Sequence, residues 1–241
     1  ELASLMVGRA VELTVHKDAP QLRPGGLVVE GLRVLNSDGQ LVVNDVSFAV
    51  QPGEVLAIAG VQGNGQTELT EAIIGLQSKV SGSISLDGIE LVGRSVKQVI
   101  DAGVGFVPED RTSDGLVGEF SVAENLILNR SEGAPFFRAA TLQRGVLREF
   151  AEEKIAEFDI RTQSAETAAG RLSGGNQQKV VLARELSRTL KLFVASQPTR
   201  GIDVAAANFI QDQIVALARS GCAVLLLSAD LDELLRLSTR V

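Results

Sequence analysis

Short runs of apolar and β-branched residues alternate along this chain with segments in which apolar residues recur every three or four positions. The first pattern predicts buried strands and the second predicts amphipathic helices, and their alternation is typical of α/β folds with a largely parallel sheet. The predicted strands are 27–32, 46–50, 55–59, 83–86, 105–107, 192–195 and 223–228. The predicted helices are 66–74, 96–102, 146–158, 176–189, 205–219 and 231–237.

The ends of the chain differ from its middle. Residues 17–26 are polar, rich in Pro and Gly and without periodicity, which is typical of a linker. We therefore expect residues 1–26 to be the tail of a preceding domain with its linker, and residues 27–241 to form the domain proper. Residues 111–171 show helical patterns and no convincing strand, so we expect a helical subdomain there. Because residues 238–241 resemble the entry to a further strand, we expect the domain to be truncated at its C-terminus.

The composition excludes several kinds of catalytic site. The 241 residues include one His, one Cys, no Trp and no Tyr. His16 stands near the start, which excludes a Ser/His/Asp triad or a His-rich zinc site in the body of the fold. Cys222 stands alone, which excludes a disulfide within the chain or a cysteine metal cluster and fits a reducing cytoplasm.

Charge and hydropathy bear on the partners of the chain. With 23 Lys and Arg against 30 Asp and Glu, the net charge is -7, which disfavours a broad surface for binding nucleic acid. No apolar run nears the roughly 20 residues that a membrane-spanning helix needs. We therefore expect no nucleic-acid partner and no membrane span.

A glycine-rich loop follows the predicted strand at 55–59. In such a loop before a helix, backbone N–H groups converge and the helix dipole adds positive potential, so it is a candidate anion site. Gly60, Gly65 and Thr67 match the phosphate-binding pattern G-x-x-x-x-G-K-[ST], but Gln66 stands in place of the lysine. Taken alone, the loop is equally consistent with an ordinary strand-to-helix turn. The candidate nucleotide-binding residues are Gly60, Val61, Gln62, Gly63, Asn64, Gly65, Gln66, Thr67 and Glu68.

A second cluster, Leu-Ser-Gly-Gly-Asn-Gln-Gln-Lys at 172–179, opens the predicted helix at 176–189. This string resembles the signature motif of the ATP-binding cassette (ABC) ATPases. It repeats the same anion-binding device, since Ser173 supplies a hydroxyl while Gly174 and Gly175 allow close approach to a helix N-terminus. In that family the anion is the γ-phosphate of an ATP held by the opposite domain of a head-to-tail pair, so the resemblance implies a catalytic role in trans for these three residues.

The resemblance also implies a fold and two cofactors. The fold is an α/β P-loop NTPase cassette with a mainly parallel core sheet, an N-terminal antiparallel β part and a helical insertion. The cofactors are ATP and Mg²⁺. The order of the other motifs agrees with the family over nearly the whole chain from residue 27. Pro-Gly-Glu at 52–54 precedes the first core strand, and Pro-Glu-Asp-Arg at 108–111 lies where the glutamine loop is expected. Residues 197–203 resemble the end of Walker B plus the D-loop.

Within the family, the chain looks like the second, C-terminal cassette of the tandem proteins that energise importers of simple sugars and nucleosides. Residues 1–26 are then similar to the segment that closes the first cassette, followed by a linker, and the string at 195–201 favours the nucleoside branch. The implied partners are the N-terminal cassette of the same polypeptide, transmembrane permease subunits and, indirectly, a solute-binding protein. The implied location is the cytoplasmic face of the plasma membrane.

Four positions depart from the catalytic pattern of the family. Ser196 stands where an Asp would hold the magnesium shell, and Gln197 stands where a Glu would act on the attacking water. Ala229 stands where the switch His would contact the γ-phosphate, and Gln66 has replaced the lysine. Because an amide has no useful basicity, the base position is degenerate.

Other positions that the family uses are retained. Thr67 is a weak candidate magnesium ligand, Glu109 a second candidate metal contact, and Gln177 and Asp203 are further candidate contacts to ATP. Residues 34–41 contain no aromatic side chain that could stack on adenine. We therefore predict that the chain binds nucleotide weakly, hydrolyses it poorly alone and completes the site of its partner cassette.

Two other functions remain open at this point. One is a regulatory nucleotide-binding module without turnover. The other is a soluble ABC ATPase that acts on nucleic acid or ribosomes, which would require basic arms or long heptad repeats, and the sequence shows neither.

Overall fold

A computed structural model of the chain describes residues 22–61, 63–130, 135–139 and 141–241. These residues form two compact units. The first, called the sheet unit, comprises the described residues up to 106 together with 190–197 and 211–241. The second, called the helical unit, comprises the described residues within 107–189 and 198–210. Residues 1–21 of the predicted tail and linker at 1–26, with His16, lie outside the described residues.

Strands and helices alternate along the described part of the chain. The strands are β1 (Leu27–Leu35), β2 (Leu41–Val50), β3 (Val55–Ala59), β4 (Val80–Leu86), β5 (Ile89–Glu90), β6 (Val104–Val107), β7 (Phe137–Arg138), β8 (Thr141–Leu142), β9 (Leu192–Ser196) and β10 (Ala223–Ser228). The α-helices are α1 (Gln66–Ile73), α2 (Val96–Asp101), α3 (Val122–Asn125), α4 (Arg144–Glu157), α5 (Gly174–Leu186), α6 (Val204–Arg219) and α7 (Leu231–Leu237). A π-helical turn covers Arg111–Gly115, and 3₁₀ turns cover Leu128–Arg130 and Ala169–Arg171.

An antiparallel sheet in the order β2-β1-β4-β5 forms one part of the sheet unit. Its strand β1 pairs antiparallel with both β2 and β4. Side chains along β1 alternate between buried and exposed, as expected of a strand with one face on the core. This sheet is the antiparallel β part that the sequence predicts.

A parallel sheet in the order β3-β10-β9-β6 forms the other part. Strand β10 pairs in parallel with β3 and β9. Every residue of β9 and β10 is buried, which is why both strands are continuous apolar runs without alternation. Because Ser228 pairs with Ala59 and Leu227 with Ser196, the carboxyl ends of β3, β9 and β10 meet at one edge, where ligands of open α/β sheets bind.

The helical unit is organised by buried polar and aromatic side chains. Asn125 is fully buried, and its amide group bonds to backbone groups of Val117, Phe120 and Ser121, which closes the segment before α3. Phe136 is buried and meets Phe150 edge-on with 5.0 Å between the ring centroids. Within the described residues, no helix combines the length and the apolar character needed to cross a membrane.

The predicted fold class is confirmed, and every predicted strand and helix is present, three with the predicted ends and the others with ends moved by one to five residues. The sequence predicts no strand within 111–171, and this detail is wrong. Strands β7 and β8 form a short antiparallel hairpin in which Phe137 pairs with Leu142. Two-residue strands are too short to show an alternating pattern, so periodicity could not have found them.

Candidate functional site

The glycine-rich loop joins β3 to α1 in the sheet unit. Gly63 and Gly65 have φ angles of 91° and 85°, in the left-handed region that favours glycine. An added Cβ at Gly65 would lie 2.5 Å from the carbonyl oxygen of Val42. The N–H of Leu69 donates to the Gly65 oxygen at 2.9 Å, so α1 begins directly after this glycine. The first N–H groups of α1 have no partner within the helix, and they form the positive end that an anion can use.

The side chain of Gln66 folds back over the start of this loop. An added Cβ at Gly60 would lie only 2.5 Å from Gln66 Nε2. That nitrogen is buried and has no hydrogen-bond acceptor among the described residues. A buried donor without a partner costs about 1–3 kcal/mol, and an oxygen atom of a bound phosphate would remove that cost. The loop therefore fits the phosphates of a nucleotide, with a neutral donor in place of the lysine.

The remaining predicted residues of the loop differ in exposure. The side chains of Val61, Asn64 and Thr67 are exposed, and that of Glu68 is half-buried. Gln62 lies outside the described residues. The exposed hydroxyl of Thr67, at the second position of α1, is free to face a ligand of the loop.

The Walker B position at the end of β9 carries a strained glutamine. Gln197 has a φ of 49°, a left-handed conformation that costs a residue with a Cβ about 1–2 kcal/mol. Its N–H donates to Leu227 O at 2.8 Å, and its Oε1 accepts from the N–H of Ala229 at 3.2 Å. The predicted base position and the predicted switch position are therefore joined by one hydrogen bond. The backbone N–H of Ala229 takes one of the two lone pairs of this amide oxygen and holds the side chain of Gln197 toward the end of β10.

Magnesium fits the sheet unit less well than phosphate does. Mg²⁺ in proteins is usually held through one or two carboxylates together with phosphate oxygens. Ser196 is buried and uncharged, and Gln197 is an amide. No group of three or more Asp, Glu, His or Cys side chains suited to a metal exists among the residues that the structure describes. Thr67 is the one predicted magnesium ligand located in this loop.

The signature motif forms the N-terminus of α5 in the helical unit. Ser173 occupies the N-cap position, but its hydroxyl makes no capping bond and instead accepts from Asn176 Nδ2 at 2.9 Å. A hydroxyl that accepts one bond still has its proton to donate. An added Cβ at Gly175 would lie 2.7 Å from Ala206 Cβ and 2.9 Å from Asp203 Oδ2, so a larger residue has no room there.

Two further predicted residues support this N-terminus. Gln177 is buried, and its Nε2 donates to Ala169 O at 3.3 Å. Asp203 Oδ1 accepts from the N–H of Ala206 at 3.0 Å, which caps the start of α6. The structure thus brings five predicted residues together in one unit, namely Ser173, the two glycines after it, Gln177 and Asp203.

Glu109 lies in the helical unit, where its carboxylate forms an ion pair with the guanidinium of Arg200. The candidate metal contact is therefore engaged by a cation. Sequence reasoning missed the contribution of Arg111, whose guanidinium reaches Gly174 at the signature motif. The only available signal was its place in the Pro-Glu-Asp-Arg string, and spacing along the chain does not show which segment such a side chain reaches.

The sheet unit carries a glycine-rich loop between β3 and α1, at the edge where β9 and β10 end, and the helical unit carries a glycine-rich helix N-terminus preceded by a serine. These features define the class of ATP-binding cassette domains. A sequence comparison agrees, because the model of the family described as ABC transporter matches residues 43–200, and the chain belongs to this family.

The chain is similar to curated proteins named for import. It is 41% identical over 241 residues to the guanosine import ATP-binding protein NupO of Bacillus subtilis (strain 168), covering 100% of this chain and 47% of that protein. It is 43% identical over 245 residues to the glucose import ATP-binding protein TsgD13 of Haloferax volcanii, covering 100% of this chain and 44% of that protein. The chain thus spans about half the length of the curated relatives it matches.

Solved structures support the fold independently. A nucleotide-free ATP-binding cassette from an ABC transporter superposes with a TM-score of 0.73 at 22% identity. The match covers 89% of this chain and 85% of that one. At this identity the likeness shows the fold alone.

Proposed function

We propose that this chain is the second, degenerate cassette of a tandem ATP-binding protein that powers import of a nucleoside or a simple sugar. It supplies Ser173, Gly174 and Gly175 to the ATP held by the N-terminal cassette of the same polypeptide, and its own loop hydrolyses ATP poorly. The names of the relatives, and the fact that the chain matches about half of each, support this proposal.

The observation that carries the proposal is the contrast between the two half-sites. In the sheet unit, a neutral Gln66 replaces the lysine and Gln197 is bonded to the backbone of Ala229. In the helical unit, the serine, the glycines and the helix N-terminus of the signature are all in place. Phosphoryl transfer depends on positioned charge, so the first half-site loses catalytic groups while the second keeps its role.

ATP and Mg²⁺ are the cofactors of the proposed reaction, in which they supply the phosphoryl group and neutralise its charge. Gly174 and Gly175 would admit the γ-phosphate to the N-terminus of α5, and the Ser173 hydroxyl would donate to it. Gln177 and Asp203 would hold this backbone in place. In the chain's own loop, the N–H groups and Gln66 would hold the phosphates, with Thr67 as a weak magnesium ligand.

The proposed partners follow from the same assignment. Transmembrane permease subunits would hold the chain at the cytoplasmic face of the plasma membrane and contact the region of Glu109 and the helical unit. A solute-binding protein would be met only indirectly through the permease. No nucleic acid takes part.

The test compares two variants of the full tandem protein with its permease. Ser173→Arg fills the signature of this chain, so we expect the ATPase kcat to fall by about 100-fold, the scale of losing a donor to a developing charge. Thr67→Ala touches only the degenerate loop, so we expect kcat to change by less than about twofold. The measurement is steady-state ATPase with transport-competent protein.

A matched control uses Ser220→Arg. Ser220 is exposed and follows the C-terminus of α6, where a cation is favourable, so this variant should keep wild-type activity. Near-total loss from Thr67→Ala with none from Ser173→Arg would refute the proposal. Loss from neither variant would instead favour a module without a part in turnover.

A further inference from the structure

Arg111 begins the π-helical turn Arg111–Gly115 in the helical unit. The preceding Asp110 caps this turn, because its carboxylate accepts from Thr112 N at 2.8 Å, Thr112 Oγ1 at 2.6 Å and Ser113 N at 3.3 Å. The hydroxyl of Thr112, followed by these N–H groups, lowers the pKa of Asp110 below its ordinary value. These hydrogen bonds hold the backbone at the start of the turn, which fixes where the side chain of Arg111 starts.

The guanidinium of Arg111 bridges two segments of the helical unit. Its Nε donates to Gln177 Oε1 in α5 at 3.4 Å, and its Nη1 donates to the carbonyl oxygen of Arg200 at 3.1 Å. Gln177 is itself buried and bonded to Ala169 O at 3.3 Å. One planar group thus joins the signature helix to the segment 198–201.

The guanidinium of Arg111 also occupies the space that a side chain at position 174 would need. An added Cβ at Gly174 would lie 2.5 Å from Arg111 Nη2 and 3.4 Å from Gly201 O. Gly174 does not have a positive φ, so backbone conformation is not what requires glycine there. A side chain at position 174 would displace the guanidinium of Arg111, so the present place of the guanidinium depends on this glycine.

The helix dipole does not favour a cation at this position. The positive end of α5 disfavours positive charge, so the guanidinium of Arg111 gains nothing from the helix dipole. Three neighbouring carboxylates are engaged elsewhere, namely Glu109 by Arg200, Asp110 at the π-helical turn and Asp203 at the start of α6. The two acceptors that hold Arg111 are neutral, so its contribution is to fix their positions.

We propose that Arg111 is a positioning residue for the ATP site that the signature motif completes, an inference that rests on the proposed function in trans. The guanidinium joins α5 to the segment 198–201 and lies against Gly174. It thereby fixes the position of the backbone that faces the γ-phosphate. Arg111 acts through Gly174 and Gln177 and does not itself react.

The test measures kcat and KM for ATP of the full tandem protein with its permease. Arg111→Lys keeps the charge and the aliphatic stem, but a single ammonium cannot reproduce the fork that reaches both Gln177 and the Arg200 carbonyl. We expect kcat to fall about tenfold and KM to change by less than about twofold, because the partner's loop binds most of the ATP. Arg111→Ala should lose at least as much activity.

Controls separate positioning from folding and from the proposed function. Arg148→Met removes only an ion pair with Glu166 whose side chains are 63% and 56% exposed, so it should keep wild-type kcat. The unfolding midpoint of Arg111→Lys should stay within about 3 °C of wild type, and a larger drop accompanying the loss of kcat would overturn the proposal in favour of a structural role. Wild-type kcat in Arg111→Lys, or a raised KM at unchanged kcat, would also overturn it.

Ser173→Arg in the same assay distinguishes the two proposals. If Ser173→Arg keeps wild-type ATPase, the function in trans is wrong, and the role of Arg111 falls with it. If Ser173→Arg loses activity while Arg111→Lys does not, only the positioning role is wrong.

Discussion

At the residue scale, the conformation of the glycine-rich loop requires that residue 65 has no side chain. The φ of 85° at Gly65 and the 2.5 Å between an added Cβ and Val42 O make any larger residue strained. We predict that Gly65→Ala lowers the free energy of unfolding by about 1–3 kcal/mol, measured by urea denaturation. The matched control is Gly145→Ala in α4, where an added Cβ meets nothing within 4 Å and helix propensity should add up to about 1 kcal/mol. Equal stability of Gly65→Ala and wild type would contradict the loop geometry.

Cys222 gives a second residue-scale prediction, which concerns pH. Burial raises the pKa of its thiol from 9.0 to about 12. The unfolded chain therefore releases this proton above about pH 9 while the folded chain keeps it, so stability falls as pH rises from 9 towards 12. We expect Cys222→Ala to remove this part of the pH slope in urea denaturation, and iodoacetamide at pH 8 to label the unfolded chain only. Rapid labelling of the folded chain would contradict the burial.

The identities of the residues at the lysine, base and switch positions could be read from the sequence, but their contacts could not. Motif spacing predicts Gln66, Gln197 and Ala229 at the lysine, base and switch positions. It does not predict that Gln197 Oε1 accepts from Ala229 N, because these residues are 32 apart in the chain and meet only through pairing of β9 with β10. The bridge made by Arg111 escaped prediction for the same reason.

At the scale of single elements, two helices are stabilised by hydrogen-bonded caps at their N-termini. Ser121 and Glu124 form a capping box at α3, and Ser95 and Gln98 form an equivalent box at α2. We predict that Ser121→Ala and Ser95→Ala each cost about 1 kcal/mol of unfolding free energy at neutral pH, measured by urea denaturation.

The two boxes should differ in acid because only one contains a carboxylate. The Ser121 hydroxyl is the largest cause of the lowered pKa of Glu124. A lowered pKa means that the stabilisation is present above the unfolded value of 4.5 and is lost as pH falls below it. The cost of Ser121→Ala should therefore shrink below about pH 4.5 while that of Ser95→Ala does not. An identical pH dependence for both variants would contradict this assignment.

Element existence could be predicted from periodicity, whereas element ends depend on pairing. Strand β2 is predicted to start at 46, yet it begins at Leu41, because Leu41 and Val43 pair with Leu35 and Val34 of β1. Asp45, with a φ of 57°, interrupts the alternation between the two parts of the strand. A local pattern stops at such an irregularity, while the hydrogen bonds to a neighbouring strand continue past it.

At the scale of the whole molecule, the predicted site residues are distributed over the two units. The loop, Gln197 and Ala229 belong to the sheet unit, and the signature motif and Arg111 belong to the helical unit. The sequence predicts a helical subdomain at about 111–171, but the compact helical unit also takes in α5 and residues 198–210. Helical periodicity does not show which helices pack together, so the extent of this unit required the contacts themselves.

The dependence of ATP binding on magnesium is a property of the whole chain, and we derive it from the residues of the sheet unit. Ser196 and Gln197 offer no carboxylate, so Thr67 is the predicted magnesium ligand that remains among the described residues of the sheet unit. We predict that the affinity of this chain for a fluorescent ATP analogue falls by less than about threefold when EDTA replaces Mg²⁺, since magnesium is usually held through carboxylates as well as phosphate. Ser196→Asp returns a carboxylate to the end of β9, and its binding should weaken distinctly more in EDTA than that of wild type. A tenfold loss of affinity in EDTA for the wild-type chain would show that Thr67 and the phosphates hold the metal without a carboxylate, contrary to this prediction.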